Sequence, residues 1–442
     1  MLSAANTLGL VVFPAYDWNI SRAHPEREER LLYTHDQLRE EGIFDIPGIK
    51  EYRPDIASPD DIARVHFCLP DIDSLVTKSH FISAGGAIKA ARLVMEGHCD
   101  KSFALIRPPG HHGMKVVMGN RGFCTINIEA VMLEYIRDHY GPLRAAIVDT
   151  DCHHGDGTQD IYWHDPDTLF ISIHQDGRTC YPGTGFPQEL GGPGAIGKTI
   201  NIPLPPGTSD EGFLYALDKV VMPILNDFKP DLIINGAGQD NHYSDPLTAM
   251  NCSARGYADI AQRLGARLTV LEGGYSIQGA LPYVNLGLAL TVAGVPYGAN
   301  LQEPDYDQAR LRQDAETSAA VQAVCERVMD LFCRPHARPL DGEIDGDWFV
   351  RMKNVYYDTD DITEHQREAV LMCGACPGLI KIAVKSSRTP PSLCVCIPLQ
   401  ACPRCREEGF KAVEEAKWSG GFRFIQCIDR PRKEFSQYGY GS

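Results

Sequence analysis

Three carboxylates and two imidazoles crowd into Asp149-Thr150-Asp151-Cys152-His153-His154-Gly155-Asp156, directly after the apolar run Ala145-Ala146-Ile147-Val148. Such density suits a metal centre or a proton relay. Asp151 and His153 stand two apart, so both side chains point to one side if the chain stays extended there, and Asp240 offers a third ligand from beyond another apolar run. About three protein ligands with positions left open is a common arrangement around a catalytic divalent cation. A lone Asp-x-His would read more readily as a helix cap beside a buried histidine; the His-His pair and Asp240 argue against that here. His111 and His112 follow Pro108-Pro109-Gly110, a turn that presents side chains instead of packing them. An imidazole near an ion can act as a base once a partner on its other nitrogen orients the ring. Asp149 and Asp156 are the available carboxylates, one for each histidine. Tyr275, behind Gly273-Gly274, could donate to a developing oxyanion, a contact worth about 3 to 4 kcal/mol in other enzymes, although Gly-Gly-Tyr alone is an ordinary turn.

The elements that must position these groups repeat one pattern. Short apolar runs without alternation end in polar or glycine-rich loops: 104–106 before His111 and His112, 145–148 before Asp149, 169–171 before Ser172 and His174, 232–234 before Asp240, and 268–271 before Glu272 and Tyr275. Such runs read as strands buried on both faces, and open α/β sheets build sites at the carboxyl ends of their strands. Helical patterns lie between them, such as 128–140 stopped by Gly141 and 210–228 behind the candidate N-cap Ser209. Strand alternating with helix predicts an α/β fold with a parallel sheet covered on both faces.

A chain of 442 residues can bury one large core and still carry a smaller second unit. A net charge of −16 argues against a non-specific nucleic-acid binder, which needs a basic face to displace phosphate counterions. No apolar stretch approaches the roughly 18 to 20 residues of a membrane span, and the start reads as a first strand over 8–13, not as a secretory signal, so no membrane partner and a cytoplasmic location are expected. The fifteen cysteines are scattered and odd in number, which points to reduced thiols, some holding metal, over a secreted disulfide framework.

Taken together, Arg107-Pro108-Pro109-Gly110-His111-His112, the stretch 149–158, Tyr181-Pro182-Gly183-Thr184-Gly185, Ala237-Gly238-Gln239-Asp240 with Asp245-Pro246, and Glu272-Gly273-Gly274-Tyr275 resemble the zinc-dependent histone deacetylase family, including its bacterial amidohydrolase-like members. The likeness begins at His24-Pro25-Glu26 and extends to about residue 300. It implies an arginase/deacetylase-like parallel sheet of about eight strands flanked by helices and hydrolysis of an acylated amine. It further implies zinc at Asp151, His153 and Asp240, with Fe(II) or Co(II) compatible with so oxygen-rich a ligand set. In that likeness His112 is the general base paired with Asp156, His111 stays nearer the imidazolium form beside Asp149, and Tyr275 polarises the acyl carbonyl. Phe123 and Tyr181 wall a tunnel around the lysine stem, and Gly122 allows close approach. A structural potassium site would use Asp149, Asp151, Ser172 and the backbone carbonyls of His153 and Ile173.

The departures from the family bear on the substrate. Leu247 stands where polyamine-selective relatives carry an acid, so acylated lysine is the expected substrate and an acetylated polyamine the alternative, unless a neighbouring subunit of a homo-oligomer supplies the charge. Gln239 replaces an apolar residue, Asp156 and Thr158-Gln159 mix subfamily patterns, and the loop from His112 to Phe123 is long. A binding module without activity would lose a ligand, a dyad histidine or the tyrosine, and none is lost. A two-metal ureohydrolase would need further acidic ligands. His174 and His242 are expected to be structural.

The Pro/Arg-rich stretch 334–339 marks the boundary between a catalytic domain over 1–335 and a small Cys-rich accessory domain over 340–442. Seven cysteines lie between Cys373 and Cys427. The pairs Cys373-x-x-Cys376 and Cys402-x-x-Cys405, separated by strand-like 379–384 and 393–397, approach the spacing of a zinc ribbon with a second, structural zinc. Cys394 and Cys396 compete as ligands, and buried free thiols are the plainer reading.

Overall fold

The computed structural model describes residues 2–13, 19–21, 23–337 and 340–439. Part of the expected boundary, Arg338 and Pro339, lies outside the described residues. Along the chain run β1 (Leu8–Val12), β2 (Ile49–Tyr52), β3 (Phe67–Cys68), β4 (Lys101–Leu105), β5 (Val116–Val117), β6 (Ala145–Asp149), β7 (Thr168–Gln175), β8 (Thr199–Leu204), β9 (Leu232–Ala237) and β10 (Leu268–Leu271). Eight of these form one sheet in the order β2-β1-β4-β10-β9-β6-β7-β8, every pair parallel, while β3 and β5 pair separately.

The unalternating apolar runs follow from burial on both faces. The pleat sends Phe103, Leu105, Ala146 and Val148 into one core and Ala104, Ile106, Ala145 and Ile147 into the other. The helix Ile128–Tyr140 opens on Asn127, whose side chain accepts the Ala130 N–H at 2.8 Å, and stops at Gly141. The 210–228 segment is helical throughout with a π turn over Leu217–Val221, and Ser209 makes no side-chain capping bond. Among the described residues no helix is long and apolar enough to cross a membrane.

The C-terminal unit is a separate sheet of seven strands: β11 (Glu343–Asp345), β12 (Trp348–Tyr357), β13 (Ile362–Leu371), β14 (Ile380–Ser386), β15 (Ser392–Ile397), β16 (Phe424–Asp429) and β17 (Glu434–Gly439), in sequential order. All neighbours are antiparallel except β15 and β16, which the crossover helix Pro403–Ser419 joins in parallel. One face carries that helix. The other packs Val355, Tyr357, Ile382 and Cys394 against Phe67, Met114 and Val116 of the first unit in one continuous core. This differs from two zinc-ribbon knuckles on hairpins: Cys373 follows β13, while Cys402 is the N-cap of the crossover helix.

Candidate active site

The site forms where β4, β10, β9, β6 and β7, adjacent in the sheet, all end. From β6 the chain delivers Asp151 and His153, and from β9 it delivers Asp240. His153 Nδ1 lies 3.1 Å from Asp151 Oδ1 and 2.9 Å from Asp240 Oδ2. Both carboxylates are held from behind, Asp151 by the Gly273 N–H at 2.7 Å and Asp240 by the Cys152 N–H at 2.7 Å. Burial and the neighbouring Asp151 charge push Asp240 up to about 7. Two fully buried carboxylates and an imidazole nitrogen gathered within 4.8 Å need a cation to neutralise them, and separations near 3 Å suit donors about 2.0–2.1 Å from one ion. Glycines keep the cradle open: a Cβ on Gly238 would stand 2.0 Å from Asp151 Oδ2, and one on Gly273 2.5 Å from Asp240 Oδ2. The residues therefore suit a divalent metal.

Beside the cradle, His111 Nδ1 meets Asp149 Oδ2 at 3.0 Å and His112 Nδ1 meets Asp156 Oδ1 at 2.7 Å. The two rings lie 4.1 Å apart but differ in electrostatics. Burial opposes a charge on His111, yet Asp151 and Asp149 outweigh it and raise its pKa well above the ordinary value. Burial, the charge on His111 and that on Arg121 all depress His112. One imidazole is thus poised as a cation and its neighbour as a neutral base. Burial keeps Tyr275 a neutral phenol, a hydrogen-bond donor, and Asp245 fixes its backbone N–H at 2.7 Å.

Aromatic rings flank these groups. Tyr181 stands 5.2 Å from the His112 ring and 6.4 Å from the His153 ring, while Phe123 is 5.4 Å from Tyr275. Gly122, at φ 52°, would carry a Cβ 2.4 Å from His112 Cδ2 and 2.8 Å from Tyr181 Cε1, so the close approach is real. Leu247 is 42% exposed. Asp149 and Ser172 are register partners in β6 and β7, and Ser172 Oγ bonds His174 Nδ1 at 2.8 Å. His174 also meets the Gly185 carbonyl, and His242 pairs with Glu303. Gln239 turns away to the Asn285 side-chain oxygen.

Five further residues escaped the sequence reading as site builders. Glu26 bonds both Arg30 and Arg107, all fully buried, and Arg30 donates to the carbonyls of Gly274 and Glu272. Glu272 accepts the N–H groups of Gly110 and His111 at 2.7 and 3.0 Å, tying the histidine loop to the tyrosine loop. Burial pushes Glu272 up to about 7. Arg121 pairs with Asp156 and lies 5.5 Å over the Tyr181 ring. The Glu at the head of Glu-Gly-Gly-Tyr and the Arg beside Gly122-Phe123 were the available signals.

Comparison with known proteins agrees with this architecture. The histone deacetylase domain model matches residues 72–285. A probable deacetylase of Archaeoglobus fulgidus is 44% identical over 312 residues, 64% of this chain and 85% of the relative. A histone deacetylase-like amidohydrolase of Pseudomonas aeruginosa is 37% identical over 224 residues, 48% of this chain and 58% of the relative. Among solved structures, the HDA15 HD domain superposes with a TM-score of 0.63 at 25% identity, covering 76% of this chain and 97% of that one. The chain belongs to the histone deacetylase family.

Proposed function

We propose that the protein is a metal-dependent amide hydrolase that removes acetyl or other acyl groups from lysine side chains. The observation that carries this reading is the pair of His-Asp dyads of opposite electrostatic character beside the Asp151, His153 and Asp240 cradle. A divalent ion there, zinc or in its place Fe(II) or Co(II), supplies Lewis acidity that polarises the acyl carbonyl and acidifies water. With Nδ1 engaged by Asp156, His112 keeps Nε2 as the proton-accepting atom; it takes a proton from the attacking water and returns it to the leaving amine. His111, cationic beside Asp149, stabilises the negative charge that develops. The Tyr275 hydroxyl donates to the carbonyl oxygen as it becomes an oxyanion. Phe123 and Tyr181 flank the aliphatic stem of lysine, and Gly122 lets the chain pass close to His112.

Asp149, Asp151, Ser172 and the carbonyls of His153 and Ile173 are assigned to a potassium site, supported by the pairing of Asp149 with Ser172 across β6 and β7. In the C-terminal domain Cys373, Cys376, Cys402 and Cys405 are assigned a second, structural zinc. Their sulfur atoms lie within 4.8 Å of one another, with separations of 3.7 Å for Cys373–Cys402 and 3.4 Å for Cys376–Cys405. Thiolates at about 2.3 Å from one tetrahedral ion stand roughly 3.8 Å apart, whereas a disulfide would need about 2 Å. Cys394 and Cys396 side with the interdomain core and drop out as ligands.

Lysine is preferred to a polyamine because the exposed Leu247 brings no charge. The test is kcat/KM of the zinc-loaded enzyme for an acetyl-lysine peptide beside acetylspermidine, with Tyr275→Phe as control. Faster peptide turnover, falling by about 10²–10³ in the variant, is expected. Faster polyamine turnover would move the substrate to a small metabolite, and inactivity on both would overturn the acetyl assignment.

A further inference from the structure

Residues 358–361, Asp-Thr-Asp-Asp, join β12 to β13 and place three carboxylates in one turn. The turn belongs to the C-terminal domain but bonds to the mouth of the catalytic one. Asp360 Oδ2 accepts the Asn120 N–H at 2.7 Å, and the Thr359 hydroxyl donates to Asn120 Oδ1 at 3.0 Å. The Asp358 carboxylate accepts the Gly122 N–H at 3.2 Å. A Cβ on Gly119 would stand 2.3 Å from Asp360 Oδ2, so the turn also lies close against the loop at Gly119. Behind the turn, the Tyr357 hydroxyl donates to the Val116 carbonyl at 2.8 Å. Residues 119–123 are thereby clamped. They are the residues that bring Arg121 to Asp156, Gly122 against His112 and Phe123 against Tyr275.

Resting on the amide-hydrolase reading, we propose that the C-terminal domain is a working part of the substrate mouth, with Asp358 a positioning and specificity-determining residue that favours acylated amines carrying a second cationic group. Arg121, on the loop that the turn holds, is already engaged by Asp156, while Arg388 shares a surface cavity with Asp360 and not with Asp358. Asp358, Asp360 and Asp361 are exposed, so they leave this side of the mouth anionic, while Leu247 adds only apolar contact. Charge near an entrance steers and retains oppositely charged ligands. A second cation occurs on a peptide with basic neighbours and along a polyamine alike.

The experiment compares wild type with Asp358→Asn, which keeps an acceptor and removes the charge, and Asp358→Ala, which removes both. Substrates are two acetyl-lysine peptides differing only in flanking Arg or Glu, and acetylspermidine. Wild type should favour the Arg peptide by about three- to tenfold at low ionic strength, mainly through KM, and Asp358→Asn should erase most of that preference. A larger loss on acetylspermidine than on the Arg peptide would assign the cation to a polyamine; the reverse assigns it to a protein segment. Hydrogen exchange of residues 119–123 should quicken in Asp358→Ala. This second readout needs no turnover, so inactivity on every substrate would count against the hydrolase reading alone. An unchanged Arg-to-Glu ratio in Asp358→Asn, or unchanged exchange in Asp358→Ala, would overturn the proposal.

Discussion

Gly122 leaves no room for even a methyl group. At φ 52° a side chain is strained by about 1 kcal/mol or more, and its Cβ would press on the ring edge of His112, the proposed general base. Gly122→Ala should therefore lower kcat/KM by at least about tenfold through displacement of His112 while the metal content stays at the wild-type value. Steady-state kinetics beside metal analysis checks this. Glu272 tests the other side of the same histidine pair. Its two bonds to the Gly110 and His111 N–H groups hold the loop, and Glu272→Leu would leave both donors buried and unpaired, at about 1–3 kcal/mol each. The expected result is a lowered melting temperature together with a loss of kcat. A loss of kcat at unchanged stability would show that Glu272 does more than hold the loop.

At the scale of elements, the place of the candidate site was legible wherever its residue types fall within a few positions of a strand end. Asp151, His153, His111, His112 and Tyr275 could all be read this way, because a parallel sheet gathers its strand ends without needing long-range detail. What joins distant segments was not legible. Arg30 reaches Gly274 across 244 positions, and the Gly122 N–H reaches Asp358 across 236. The seven-stranded sheet was read only at β14 and β15. In β13 the buried side chains include Glu364, Gln366 and Glu368, so the apolar period that identifies a strand is missing even though the burial alternates. Polar groups face inward there because they find partners there: Glu368 bonds His164 across the interface and Arg351 on the neighbouring β12, and Glu364 bonds Tyr357 of β12. The paired Cys-x-x-Cys spacing was readable, and its consequence is testable. Cys376→Ser or Cys402→Ser should remove one zinc per chain and lower the melting temperature by roughly 10 °C, because a metal bound only by the folded state contributes directly to its stability. Cys333→Ser, at an exposed thiol outside the cluster, should change neither. Metal-to-protein ratios across these variants decide the matter.

For the whole molecule, the two units share more than an apolar core. Arg430, from beyond β16, reaches Glu134 and Asp138 on the helix Ile128–Tyr140; Arg137 holds the other oxygen of Glu134 at 2.8 Å, and Arg64 holds Asp138 at 2.6 Å. Burial alone would raise the Glu134 pKa, but Arg430 and Arg137 reverse this and bring it down to about 2. Because the folded-state pKa lies below the unfolded one, near 4.3, the native state holds fewer protons between them, and stability rises with pH over that window. Glu134 thus contributes on the order of 3 kcal/mol above about pH 4.5, lost as pH falls toward 2. Glu134→Gln should be less stable than wild type at pH 6, with two arginines left facing a neutral amide. Its stability should also fall less steeply between pH 4.5 and 2, by up to one proton in the slope. Arg430→Met removes the interdomain half of the network and leaves Glu134 with Arg137 alone. Breaking a buried pair from one side costs about 3–5 kcal/mol, so urea unfolding of this variant at pH 6 should begin at a lower concentration. If the two sheets act as one cooperative body, circular dichroism and the fluorescence of Trp348 and Trp418 in the C-terminal domain will shift together. If the clamp on residues 119–123 depends on this distant ion network, hydrolysis should be lost in the same transition and not after it.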